Sequence, residues 1–365
     1  MSFSSLKIGK YEIKFPIIQG GMGLGISWDK LAGNVSLNGG LGVISSVGTG
    51  YYENKAYIDK EINSKPYNSE NFYSSKALKK IIENARKICG NLPLGVNVMC
   101  AANDYERIVK DACDGGVNVI ISGAGLPTNL PEFTKDFAHV ALVPIVSSAK
   151  ALKIICKRWS GRYNKIPDAV VLEGPKSGGH QGFTYEQCID PEYQLEKLIP
   201  QVKEEIKNWG DFPLIAAGGI WDKKDIENAI SLGANGVQMA TRFIGTHECD
   251  AHINFKETIL NAKQEDIELI KSPVGYPARG IRTNLLNLVD KRIGPKIQCI
   301  SNCVAPCHRG VESKKVGYCI ADRLYDAYAG VKETGLFFTG ANGYKLKEII
   351  SVKELFKKLI DGENS

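Results

Sequence analysis

The sequence predicts an α/β protein: a (β/α)8 TIM barrel with a C-terminal cysteine-containing extension. Three observations carry that prediction. Short β-branched or apolar runs alternate with longer segments of helical period, the rhythm of βα units that build a parallel sheet. The runs number eight, which favours a closed barrel over an open doubly wound sheet. Beyond about residue 247 the rhythm stops, leaving a final third of different character.

In chain order, a small hairpin at 7–14 precedes the first barrel strand at 15–19 and closes the barrel floor. The other strands fall at 41–45, 93–99, 117–122, 140–146, 169–172, 213–217 and 236–240. Helical segments fit between them at 28–38, 75–89, 104–113, 149–159, 191–208 and 224–232. Residues 49–74, rich in Tyr, Asn and Ser without a period, read as a long loop. The division expected is a barrel over 1–247 and, over 248–365, a helical extension that packs on it. The extension holds a helical stretch at 253–264, a cysteine-rich segment and an amphipathic helix at 352–360.

Composition bounds the function. In 365 residues, 43% hydrophobic and 24% charged, there is ample material for a core and no signature of disorder. The net charge of +6 is spread along the chain, which suits a phosphate-bearing small molecule and argues against nucleic acid, where a clustered basic face is expected. No apolar run approaches the ~18 residues that span a bilayer. The start, MSFSSLKIGKYEIK, lacks the apolar core of a signal peptide, so the expectation is a soluble, cytoplasmic protein. The expected partner is a small-molecule substrate, with no nucleic acid or membrane, and a homodimer is compatible with the sequence.

In an α/β barrel the chemistry belongs to the loops leaving the C-terminal ends of the strands. Here those loops are glycine-rich: 20–23 after the first strand, 123–125 after the fourth, 174–182 after the sixth, and Gly218-Gly219 after the seventh. Glycine permits close backbone approach and positive φ, leaving N–H groups free to face an anion. The turns after strands seven and eight stand where barrels often bind phosphate, aided by a following helix N-terminus. Together they point to a phosphate-bearing cofactor. A Rossmann fingerprint is absent, since 20–25 does not read G-x-G-x-x-G and the second strand ends without an acid. Ser-His-Asp hydrolysis has no G-x-S-x-G elbow, and H-E-x-x-H is missing.

Among five histidines, His180 is the catalytic candidate. Flanked by glycines in the loop after strand six, its imidazole can project into the barrel mouth. With an ordinary pKa near ~6.5 it is suited to proton transfer or to stabilising an anion. His139, before an apolar strand, and His252, at a helix start, read as structural.

With these residues assembled, the chain resembles the nitronate monooxygenase family (formerly 2-nitropropane dioxygenases), which also holds flavin-dependent enoyl-ACP reductases. The resemblance covers roughly residues 11–290. It rests on PIIQGGM (16–22), LGVNVM (94–99), ISGAGLP (121–127), SGGHQG (177–182), PLIAAGGI (213–220) and GVQMATRFIGT (236–246), with HINFKETIL (252–260) and GYPARGIRTNLL (275–286) also similar. It implies an FMN-binding barrel. The implied flavin contacts are Gly21, Met22, Asn97, Glu173, Gly178, Gly219, Gln238, Met239, Ala240 and Thr241; Gly179 and Gly218 join them from the glycine turns. His180 matches the family's active-site histidine. In this picture Gly218-Gly219 and 238–241 hold the phosphate, while strands one, three and six flank the isoalloxazine.

Two reactions are implied. One is oxidation of alkyl nitronates with O2, with His180 stabilising the nitronate or taking the α-proton of a nitroalkane. The other is NAD(P)H-dependent reduction of an enoyl thioester, with His180 polarising or protonating the thioester side. Position 173 is Glu, where many nitronate oxidisers of the family look to carry Gln. A carboxylate disfavours an anion nearby, which leans toward the reductase.

Finally, Cys299, Cys303, Cys307 and Cys319 crowd into 21 residues in the pattern C-x3-C-x3-C-x11-C. Four thiolates match the ligand count of Zn or of a [4Fe-4S] cluster, with His308 as a substitute ligand. The expectation is a metal site, and with it a third reading of the chain as an electron-transfer flavoprotein.

Overall fold

The computed structural model describes residues 3–52, 72–297, 299 and 303–362. Eight parallel strands form the barrel: β3 (Ile17–Gln19), β4 (Gly42–Ser45), β5 (Leu94–Met99), β6 (Val119–Gly123), β7 (Ala141–Val146), β8 (Val170–Glu173), β10 (Leu214–Ala217) and β11 (Gly236–Met239). Each pairs with the next in register, and β11 returns to β3. The seam between β3 and β4 is closed by an Ile18–Leu41 bridge, with N–H groups of Gln19 and Leu41 donating to Leu41 O and Ile17 O at 3.0 Å. There the fully buried Gln19 side chain replaces a ladder pair. Its Oε1 accepts from Val43 N and its Nε2 donates to Val43 O, both at 3.1 Å. The barrel is a (β/α)8 TIM barrel, as the eight apolar runs predict.

Before it, β1 (Leu6–Ile8) and β2 (Tyr11–Ile13) form the expected hairpin. Its Leu6, Ile8 and Ile13 are buried in one cluster with the inward-facing Ile18, Val43, Val119, Ile121, Val143, Val171 and Ile215, so the hairpin plugs the N-terminal end. Helix Ser75–Cys89 has the expected bounds because Ser74 caps it, accepting from Ala77 N, while Leu78, Ile81, Ile82 and Ala85 give it one buried face. Helix Ala149–Tyr163 outruns its expected end at 159. Its apolar period stops at Trp159, yet the helix continues through polar residues until Asn164 takes a left-handed φ of 49°. The loop expected over 49–74 lies outside the described residues from 53 to 71; Thr49–Tyr51 is a 3-10 turn.

The barrel's outer ring is completed from beyond residue 247. Helix Val352–Asp361 sits against both Asp29–Leu37 and Lys223–Ser231, completing the outer ring as the eighth helix. Phe356 packs on Phe15 and Phe243, each with ring centroids 6.0 Å apart. Residues 247–350 are thus an excursion between the last barrel strand and its helix. Nor is the excursion wholly helical. Its strands β12 (Ile267–Ile270) and β13 (Ala278–Ile281) form a three-stranded antiparallel sheet with β9 (Gly179–His180), which belongs to the loop after β8. Helix Ile320–Tyr328 carries a buried ionic triad in which Arg323 pairs with Asp322 and, at 2.8 Å, with Asp326. Among the described residues, no helix is long and apolar enough to cross a membrane.

Candidate active site

The C-terminal ends of barrel strands one, three, six, seven and eight bring the sequence-predicted residues to one rim. Gly21 and Met22 follow β3, Asn97 lies in β5, Glu173 ends β8, and Gly218-Gly219 follow β10. Gly21 abuts Asn97 so closely that a Cβ on the glycine would stand 2.4 Å from that of Asn97. Strand alternation sorts β11: Met239 is buried in the outer core against the helices, leaving only its backbone to the rim, whereas Gln238 faces inward beside Gly20.

The glycines of the rim serve loop-to-loop packing. Gly218 (φ 97°) and Gly219 (φ 84°) both occupy the left-handed region, and a Cβ on Gly218 would meet Gly174 O at 2.7 Å. A Cβ on Gly178 would meet the backbone of Thr339 and Gly340 within 2.7 Å. The helix expected to lend its dipole is the four-residue Thr241–Ile244, too short for a sizeable macrodipole, so any anion there depends on loop N–H groups.

That packing reveals a segment missing from the sequence analysis. Residues 339–342 cross the rim of strands seven and eight. Gly340 N donates to Thr241 Oγ1 at 2.8 Å, Ala341 N to Lys176 O at 3.0 Å, and Asn342 Nδ2 to Gly219 O at 2.6 Å. Its T-G-A-N-G run after the apolar Leu-Phe-Phe carries the same turn signal as the barrel loops, beyond the point where the βα rhythm had ended. Gln181 was also missed; buried, it donates to Ser177 O and Gly179 O at 2.9 Å and clips the loop after β8 into shape.

His180 lies in β9, paired with Ala278 of β13. Its Nε2 is 2.7 Å from Ser272 Oγ, and its ring meets the Phe338 ring edge-on at 5.4 Å. Desolvation lowers its pKa to about 4, so the imidazole is neutral at pH 7 and offers no positive charge to an anion. The expected value near ~6.5 is corrected by burial beneath β13 and Phe338. Glu173 moves the other way: desolvation raises it to about 7 against an opposing hydrogen bond from Ser177. The carboxylate that sequence reasoning treated as ionised is therefore about half protonated near neutrality.

The cysteines do not converge. Among the described residues, no group of three or more His, Cys, Asp or Glu side chains is arranged to hold a metal. Left-handed Gly310 and Gly317 bracket a short helix, Val311–Val316, and break the segment into separate directions. Cys299 is exposed beside Gly310, the buried Cys307 thiol meets Ser313 Oγ at 3.2 Å, and Cys319 is buried in the barrel's outer core. Cys303 packs on that core, and both it and Cys319 act electrostatically on Tyr51. His308 is exposed with φ 45°. The Zn or [4Fe-4S] expectation, and the electron-transfer reading built on it, thus find no support among the described residues. His252 is structural as expected, its Nδ1 accepting from Asn254 N to cap helix Ile253–Leu260.

A flavin fits the rim on one specific count. Gln238 Oε1 is buried with no hydrogen-bond partner, at the inward face of barrel strand eight, where the amide awaits a donor. Asn97 and the raised carboxyl of Glu173 stand at the same rim, and both can pair with a heteroaromatic ring rich in N–H and carbonyl groups.

The comparisons with known proteins agree with this geometry. A family model described as nitronate monooxygenase matches residues 4–362. A probable nitronate monooxygenase of Staphylococcus saprophyticus is 27% identical over 306 residues, covering 80% of this chain and 82% of that relative. Another from Staphylococcus aureus is 28% identical over 293 residues, covering 75% and 77%. Among solved structures, FabK from Thermotoga maritima has a TM-score of 0.71 at 26% identity, covering 96% of this chain and 93% of its own. A nitroalkane oxidase from Streptomyces ansochromogenes, at 19% identity and a TM-score of 0.67, shares the fold.

Proposed function

The chain belongs to the nitronate monooxygenase family and is a flavin-dependent oxidoreductase; from that premise we propose that it binds FMN and oxidises alkyl nitronates with O2. The ring would lie against Gly21, Met22, Asn97, Glu173, Gly178 and Gly179. The phosphate would be held by backbone groups of Gly218, Gly219, Gln238, Met239, Ala240 and Thr241. When bound, FMN would supply a redox centre able to accept an electron from the nitronate, whose radical O2 would then capture.

The observation that carries the reading is the pair Glu173 and His180. With the carboxyl raised to about 7 and the imidazole lowered to about 4, Glu173 is about half protonated and His180 is uncharged near neutrality. Glu173 therefore does not impose the full carboxylate repulsion that would turn away a nitronate, and His180 meets the substrate opposite the cofactor. The family match and the staphylococcal relatives support the same choice.

A second reading, NAD(P)H-dependent reduction of an enoyl thioester, is favoured by the likeness to FabK and by Glu at position 173. A neutral imidazole donor also suits a thioester carbonyl. Anaerobic bleaching of the flavin separates the two. Bleaching by a nitronate alone selects the monooxygenase; bleaching by NAD(P)H alone, with reoxidation by an enoyl thioester, selects the reductase. In either case His180→Ala is expected to retain FMN and lose most turnover, measured by flavin absorbance and steady-state rates.

A further inference from the structure

We propose that Ser272 is a positioning residue that locks His180 in its Nδ1–H tautomer, so that the imidazole meets its substrate as a hydrogen-bond donor. The inference rests on His180 being the residue that faces the substrate, and it deepens the reading above by specifying an oxygen acceptor next to the reacting carbon as the feature recognised.

Ser272 is 5% exposed and lies in the turn between β12 and β13. That turn fixes its direction: Gly275 N donates to Ser272 O at 3.1 Å, and Val274 N donates to Ser272 Oγ at 3.4 Å. A hydroxyl has one proton and two lone pairs. One lone pair is taken by Val274, and the proton needs an acceptor. Two stand nearby. Tyr318 Oη lies beside Ser272, but its own proton goes to Lys271 O at 2.6 Å and a phenol oxygen is a poor acceptor. The other is His180 Nε2, at 2.7 Å, an sp² imidazole nitrogen and much the better acceptor.

With Nε2 accepting, the single proton of the neutral ring sits on Nδ1, which among the described residues has no hydrogen-bond partner. The β9–β13 pairing and the edge of Phe338 hold the ring in this orientation. A histidine so held donates through Nδ1 to a nitronate or thioester oxygen. It has no free nitrogen with which to remove an α-proton.

Histidine 15N NMR on the full-length protein, with the His180 signals identified by their loss in His180→Gln, reads the tautomer directly. The wild type is expected to show a protonated Nδ1 and an unprotonated Nε2. Ser272→Ala is expected to shift the ring toward Nε2–H and to lower kcat/KM roughly 10- to 100-fold at unchanged FMN content, using whichever reductant bleaches the flavin. Ser272→Thr, which keeps the hydroxyl, restores both. An Nε2–H ring in the wild type, or a tautomer unmoved by Ser272→Ala, overturns the proposal. Should Ser272→Ala not fold, the wild-type and Ser272→Thr spectra still decide. Because the spectra need no turnover, failure of the nitronate and enoyl assays would count against the proposed reaction and not against this assignment.

Discussion

The barrel and the excursion at residues 247–350 obey different rules of construction. The barrel is held by repeating units, each strand but the seam pair β3–β4 laddered to the next and each helix burying one apolar face. The excursion is held by a small sheet and by single bridges to distant chain: Val304 to Ala102, Ile350 to Thr246, Phe338 to Gly280. It also buries a compact ionic triad; Arg323, Asp322 and Asp326 are each under 5% exposed. The barrel supplies the scaffold and Glu173, while the excursion supplies the groups that set the state of His180.

The two regions are joined most firmly by helix Val352–Asp361, so removing residues 351–365 is the severest test of their interdependence. Val352, Leu355, Phe356 and Leu359 are all buried, and their loss opens the outer face between the first and seventh barrel helices. The expected outcome is loss of cooperative thermal unfolding in the barrel itself, not a local change in the excursion. A barrel that melts normally without this helix would show that the ring closes with seven. Next in size, Arg323→Met strands two carboxylates in the interior and is expected to cost about 3–5 kcal/mol in urea unfolding. Replacing all three charges by apolar residues of similar volume is expected to recover most of that loss, since the network's attraction chiefly offsets its own desolvation.

The contrast explains what was legible in the sequence. Periodic apolar runs report on neighbours close in the chain, and all eight strands and the glycine turns could be read from them. Ser272, Phe338 and residues 339–342 reach the rim through contacts that skip about a hundred residues, such as Gly340 to Thr241, and no local pattern encodes such a pairing. The perturbed His180 was invisible for the same reason, because the groups that bury it come from the excursion. Spacing alone could not place the cysteines, because left-handed glycines at 310 and 317 turn the chain between Cys307 and Cys319.

A subtler comparison sets Glu173, a barrel residue, against His180, held by the excursion, through the pH dependence of the flavin-free protein. The folded Glu173 binds its proton up to about 7, whereas unfolded it releases it near 4.5; its contribution to stability is lost as pH rises across that window. His180 is neutral in the fold down to about 4, whereas unfolded it protonates near 6.5, so its contribution is lost as pH falls from 6.5 toward 4. Between roughly 4.5 and 6.5 the folded pair binds one proton and so does the unfolded pair, and their slopes cancel. Glu173→Gln is expected to unmask the histidine: relative to wild type, stability then falls as pH is lowered through this window, by up to about 1.4 kcal/mol per unit. His180→Phe is expected to tilt the curve the opposite way. Parallel urea-unfolding curves for both variants from pH 4.5 to 6.5 would disprove the paired shifts.

The smallest effect is expected where the sequence promised a ligand. Cys299 is exposed beside Gly310, whose left-handed turn depends on glycine and not on the thiol. A structural metal held by four thiolates contributes folding free energy outright, so losing one ligand would be felt throughout the excursion. Without such a site Cys299→Ser is an ordinary surface exchange, expected to alter stability by less than about 0.5 kcal/mol. Cys307 provides the internal contrast, because its buried thiol meets Ser313 Oγ at 3.2 Å and its removal by Ala leaves a small void and a hydroxyl without its partner. Cys307→Ala should therefore destabilise more than Cys299→Ser. Equal and large losses at both positions, accompanied by release of bound metal, would mean that the thiols act together after all.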